Sequence, residues 1–158
     1  KPKKETSVRK EKDIDLQQLN PEDMMEHNQA FVYIYDVFQD LSVEIYKKSR
    51  KVAGGIPYME LYFISPQVGN RYRDTIKKLK EDTGWNIKMG DTPVQNEIIK
   101  LARRLTAAAG LRLKKNPGLY RDKELVKVEV RGELEEDKAD KIKNEFKQKT
   151  GYEIKFIG

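Results

Sequence analysis

Leu79-Lys80-Glu81-Asp82-Thr83-Gly84-Trp85-Asn86-Ile87-Lys88-Met89 and Phe146-Lys147-Gln148-Lys149-Thr150-Gly151-Tyr152-Glu153-Ile154-Lys155-Phe156 share one pattern. They lie 67 residues apart, and each runs from a charged segment through Thr-Gly into an aromatic-led alternation. The same offset sets Met59, Leu61 and Phe63 against Val126, Val128 and Val130. Glycine supplies the left-handed residue that stops a helix, and apolar residues at i, i+2, i+4 mark a half-buried strand. Strand, charged helix and strand therefore recur in register, which predicts two β-α-β units. Strands that flank a helix are expected to pair in parallel through a right-handed crossover.

The first unit is expected to hold a strand over Pro57–Ser65, a helix over about 67–82 that buries Val68, Tyr72, Ile76 and Leu79, and a strand over Trp85–Met89. The second is expected to hold a strand over Leu125–Arg131, a helix over about 134–149 that buries Leu134, Ala139, Ile142 and Phe146, and a strand over Tyr152–Ile157. A long helix should precede the first unit. Asn20 can cap it, Pro21 suits its first position, and Glu22 and Asp23 favour the positive end of the dipole. Phe31, Ile34, Phe38, Leu41 and Ile45 continue it as a 3,4-spaced seam, and Gly54-Gly55 ends it. Between the units, Thr92-Pro93-Val94-Gln95 reads as a capping box that opens a helix to Ala109. A strand over Leu111–Lys114 and a turn at Asn116-Pro117-Gly118 follow. The expected architecture is α+β, with small sheets covered by helices. Residues 1–19 read as a disordered basic tail or linker, 20–90 as the first helix plus unit, and 91–158 as the second.

Composition limits what such units can do. Among 158 residues, 37% are hydrophobic and 37% charged, which allows only shallow cores. No window resembles a membrane helix. Cysteine is absent, so disulfides, thiolate metal sites and cysteine nucleophiles are excluded, and a reducing cytoplasm is the expected compartment. With His27 the sole histidine, a histidine-based metal or base site is hard to assemble. No phosphate-binding loop, dinucleotide fingerprint or nucleophile elbow occurs. No cofactor or metal is expected, and no catalytic residues. Glu60 and Glu129 fall on the polar sides of their strands and read as solvated or lysine-paired, and Glu135, Glu136 and Asp137 as dipole compensation. The chain does not begin with methionine and reads as a piece of a larger protein.

The net charge of +6 favours an anionic partner. Residues 97–123 carry Lys100, Arg103, Arg104, Arg112, Lys114, Lys115, Arg121 and Lys123 against only Glu97 and Asp122, a local excess equal to that of the whole chain. Helical spacing groups Lys100, Arg103 and Arg104, and strand alternation groups Arg112 and Lys114. Tyr120 is a candidate stacking surface. A solvated basic face is the alternative reading. Arg71, Arg73, Lys77, Lys78 and Lys80 form a second basic group, diluted by Asp74, Glu81 and Asp82.

The run from Asp74 to Met89, with Ile76-Lys77-Lys78-Leu79 ahead of Thr83-Gly84 and a strand, resembles the second half of a KH (K-homology) domain. Phe146–Phe156 is a looser match, and the order of elements from 93 resembles the prokaryotic type II form. The resemblance implies binding of single-stranded RNA or DNA through a Gly-x-x-Gly loop against the backbone. At that loop's position the chain has Asn70-Arg71-Tyr72-Arg73, with both glycines replaced, so Arg71 and Arg73 would have to make side-chain contacts instead. The second unit passes through Gly132-Glu133-Leu134 without such a loop. Together these features lead to the expectation of a non-catalytic module for single-stranded nucleic acid, RNA before DNA. The alternative is a protein-interaction or assembly domain using the 31–45 seam.

Overall fold

A computed structural model describes residues 16–157, and residues 1–15 of the expected basic tail lie outside the described residues. The chain is α+β. Residues up to Phe63 together with Gly69–Asp91 form one compact unit, and Ile64–Val68 together with Thr92 onward form the other.

Unit 1 opens with a 3₁₀ turn, Pro21–Asp23, followed by α1 (His27–Asp40), β1 (Lys47–Ala53) and β2 (Ile56–Tyr62). Next come α2 (Pro66–Asn70), which begins in residues of unit 2, then α3 (Arg73–Thr83) and β3 (Asn86–Met89). β1 pairs antiparallel with β2, and β2 pairs parallel with β3. Met59, Leu61 and Phe63 are buried with Phe31, Ile34 and Phe38 of α1 and Ile76 and Leu79 of α3. Gln17, inside the 1–19 stretch expected to be a disordered tail, is instead held by two 2.9 Å hydrogen bonds with Asn86.

The N-terminal helix is shorter than its signals suggest. Asn20 Oδ1 accepts the Glu22 N–H at 3.2 Å, but this caps only the 3₁₀ turn. The α-helix starts after Glu26, whose carboxylate accepts the N–H groups of Asn28 and Gln29 at 3.0 and 3.2 Å. It ends at Asp40, so Leu41 is exposed and Ile45 is buried from outside the helix. The run Lys47-Lys48-Ser49-Arg50-Lys51-Val52-Ala53, expected within that helix, is an edge strand. Its lysines suit an edge that must not recruit another strand, and they hide the alternation that would have marked it. Gly54 and Gly55, both with positive φ (58° and 78°), form a two-residue hairpin turn rather than a helix stop. The single helix expected over 67–82 is two, broken at Arg71-Tyr72. There the Tyr72 ring lies parallel to Phe63 (6.2 Å between centroids) and edge-on to Phe38 (5.9 Å).

Unit 2 contains α4 (Gln95–Ala108), β4 (Arg112–Leu113), β5 (Gly118–Tyr120), a 3₁₀ turn (Arg121–Lys123), β6 (Leu125–Arg131), α5 (Glu136–Thr150) and β7 (Glu153–Ile157). β7 pairs parallel with β6, while β4 and β5 pair antiparallel with successive stretches of it. Ile98, Leu101 and Ala102 of α4, Ala139, Ile142 and Phe146 of α5, and Val126, Val128 and Val130 of β6 make the core. The expected capping box does not form: α4 starts after Val94, whose N–H goes to the Ile64 carbonyl at 2.9 Å. Nor does Asn116-Pro117-Gly118 reverse the chain. Arg112 pairs with Arg131 and Leu113 with Val130, but Gly118 pairs with Lys127, so the register slips by two residues. The extra residues bulge around Pro117, which has no N–H for the ladder.

Candidate nucleic-acid interface

α4 lays its apolar side on the sheet and turns Lys100, Arg103 and Arg104 outward, all exposed. Lys100 is 3.4 Å from Glu97, one turn away. Arg103 and Arg104 make no ion pair with any described residue.

The sheet has two unlike faces. Val126, Val128, Val130 and Ile154 point to the helices and are buried. The intervening residues of β6 and β7 point away from them. On that outer face Arg112 stands directly opposite Arg131, and Lys127 opposite Lys155. Lys114 is exposed, and its N–H donates to the Glu129 carbonyl at 2.9 Å. Lys115 reaches the Glu129 carboxylate at 3.4 Å. Tyr120 is 41% exposed, with the Lys127 ammonium 4.9 Å from its ring centroid. Arg121 is exposed in the following 3₁₀ turn.

The basic stretch 100–123 therefore forms two groups. Lys100, Arg103 and Arg104 occupy the outer surface of the helix layer. Arg112, Lys115 and Tyr120 belong to the opposite face of the sheet, away from the helices of unit 2. Arg71 and Arg73 belong to unit 1, where both are exposed and Arg73 donates to Asn70 Oδ1 at 3.4 Å. Lys127, Arg131 and Lys155 join the sheet group, though they were not singled out from the sequence. Their alternation with Val126, Val128, Val130 and Ile154 was visible, but their meeting with Arg112 and Tyr120 depends on strand order.

Unit 1 uses its sheet face differently. Glu60 is buried in the central strand, with Lys51 Nζ of β1 at 2.7 Å and Lys88 Nζ of β3 at 3.7 Å. The hydrogen bond to Glu60 holds the Lys51 ammonium above the usual lysine range. Burial, with help from the Glu60 charge, raises the Tyr62 phenol. Glu60 is thus lysine-paired and shielded from solvent, while Glu129 pairs with Lys115 at a half-buried site. Among the described residues, no three or more histidine or acidic side chains gather where they could hold a metal ion. No described helix is long and apolar enough to cross a membrane.

Comparison with protein-family models and with curated proteins finds no match for the chain.

Proposed function

We propose that this chain is a non-catalytic module for single-stranded nucleic acid, RNA in preference to DNA, within a larger cytoplasmic protein that processes nucleic acid. The observation that carries this reading is the set of exposed arginines on unit 2. Arg103, Arg104, Arg112 and Arg131 have no carboxylate partner among the described residues. Their planar forks suit phosphates and base edges, and an anionic strand that follows either face gains by releasing counterions. Lys100, Lys114, Lys115 and Arg121 add charge around them, and Arg71 and Arg73 supply a separate group on unit 1. The two β-α-β units read as diverged copies of one KH-like element that no longer carries the glycine loop.

Fluorescence anisotropy with a labelled RNA of about eight nucleotides tests the reading. Binding in about 50 mM salt should fall steeply by 200 mM, and the triple variant Arg103→Glu/Arg104→Glu/Arg112→Glu should abolish it. An absence of binding at low salt would rule the function out. The assembly alternative has less to work with, since Phe31, Ile34, Phe38 and Ile45 of the proposed seam are buried.

A further inference from the structure

The face of the unit 2 sheet turned away from the unit's helices carries an arrangement that folding alone does not favour. Arg112 and Arg131 are direct cross-strand partners, and so are Lys127 and Lys155. Like charges placed directly opposite one another destabilise a sheet. Two such pairs on one face, about 13 Å apart along β6, concentrate positive potential where no described helix of unit 2 covers them. The carboxylates on this face are already paired with other lysines, Glu129 with Lys115 at 3.4 Å and Glu153 with Lys147 at 2.9 Å, so cations remain in excess. Beside the lysine pair, Tyr120 offers an exposed ring with Lys127 against it.

We infer that this face is a binding platform for a single RNA strand, with Tyr120 stacking on a base and the Arg112/Arg131 and Lys127/Lys155 pairs each taking a phosphate. The inference rests on the nucleic-acid reading and adds a location to it. The ligand's phosphates relieve the like-charge repulsion, so the face is strained when empty and relaxed when occupied. An aromatic ring next to paired cations is the combination that single-strand binders use, since any base can stack while the backbone follows the charge. A purely acidic peptide could satisfy the cations but would leave Tyr120 without a role.

The test uses the whole chain, RNA binding by anisotropy and urea unfolding, with circular dichroism to verify folding. Arg131→Gln/Lys155→Gln should weaken RNA binding roughly tenfold and flatten the dependence of log K on log salt by about 1.4. The same variant should unfold at higher urea than the parent when no RNA is present. Tyr120→Ala should weaken binding at least fivefold, roughly one stacked base, whereas Tyr120→Phe should bind as the parent does. Full RNA affinity in the sheet variants, with loss in Arg103→Glu/Arg104→Glu, would overturn the platform and leave the nucleic-acid reading intact. Failure of the parent chain to bind RNA at low salt would overturn both. Polyglutamate binding as tightly as RNA, with no effect of Tyr120→Ala on either, would overturn the stacking role.

Discussion

Thr83 and Thr150 make the same two hydrogen bonds at the ends of their helices. Each Oγ1 donates to the carbonyl four residues back, Leu79 or Phe146, at 2.7 Å. Each also accepts the N–H two residues ahead, from Trp85 at 3.2 Å or Tyr152 at 3.0 Å. Both side chains are fully buried, and a left-handed glycine follows each, Gly84 at φ 75° and Gly151 at φ 77°. The hydroxyl thus connects the last helical turn to the next strand and fixes the angle between them. Thr-Gly is in this sense a structural joint.

Replacing either threonine by valine keeps the shape but leaves the following buried N–H without its acceptor. Thr83→Val and Thr150→Val are each expected to cost about 1–3 kcal/mol, measured by urea unfolding, while serine at either position should retain most of the stability.

Gly84 combines backbone strain with a close approach. A Cβ there would lie 2.3 Å from the Asp23 carbonyl oxygen, which is backbone and cannot swing aside. Gly84→Ala should therefore cost more than the roughly 1 kcal/mol of left-handed strain alone. Gly54→Ala, where φ is also positive but the space is open, should cost only about that amount. Equal losses in the two variants would contradict the packing described around Gly84.

Lys51 shields a buried charge. Lys51→Met leaves Glu60 with only the 3.7 Å contact to Lys88 and is expected to destabilise the chain by about 2 kcal/mol, discounted because the lysine itself is half exposed. Lys51→Met/Glu60→Leu removes the charge together with its partner and should recover most of that loss. Equilibrium unfolding of both variants provides the comparison.

Alkaline pH should destabilise the fold. Lys51 is held above its ordinary range by its hydrogen bond to Glu60, and Tyr62 and Tyr152 are raised chiefly by burial. For a raised group the folded state binds the proton more tightly. Its contribution is complete below the unfolded pKa, about 10 for tyrosine and 10.4 for lysine, and is lost as pH rises through the folded value. Thermal midpoints should be level between about pH 7 and 9 and fall above about pH 10. Tyr152→Phe should lessen that fall. At the acidic end Glu26 acts in the opposite sense. Its carboxyl is lowered, first by the Asn28 N–H, so its helix-capping contribution is present above the ordinary glutamate value and disappears as pH falls through the folded one.

How far the fold was legible depended on whether a segment carried its own periodicity. β6 spans Leu125–Arg131 as its Val126, Val128, Val130 alternation indicates, and Gly84 and Gly151 stop their helices. β1 was hidden because an edge strand with one partner can be almost wholly polar, and β5 because three residues are too few to show a period. The break between α2 and α3 is set by Tyr72 packing on Phe38 and Phe63, a long-range contact with no local signal. The candidate interface divides in the same way. Arg103 and Arg104 share a helix face by spacing alone, whereas the Arg112–Arg131 and Lys127–Lys155 pairs exist only once strand register is fixed.

The most direct test is to titrate the isotope-labelled chain with a short single-stranded RNA at low salt and follow its backbone amides by NMR. Shifts should concentrate in unit 2, at residues 112–120, 127–131 and 153–157, with smaller ones around Arg103 and Arg104. They should reverse as salt is raised. Unchanged spectra, or shifts confined to unit 1, would contradict binding at this face.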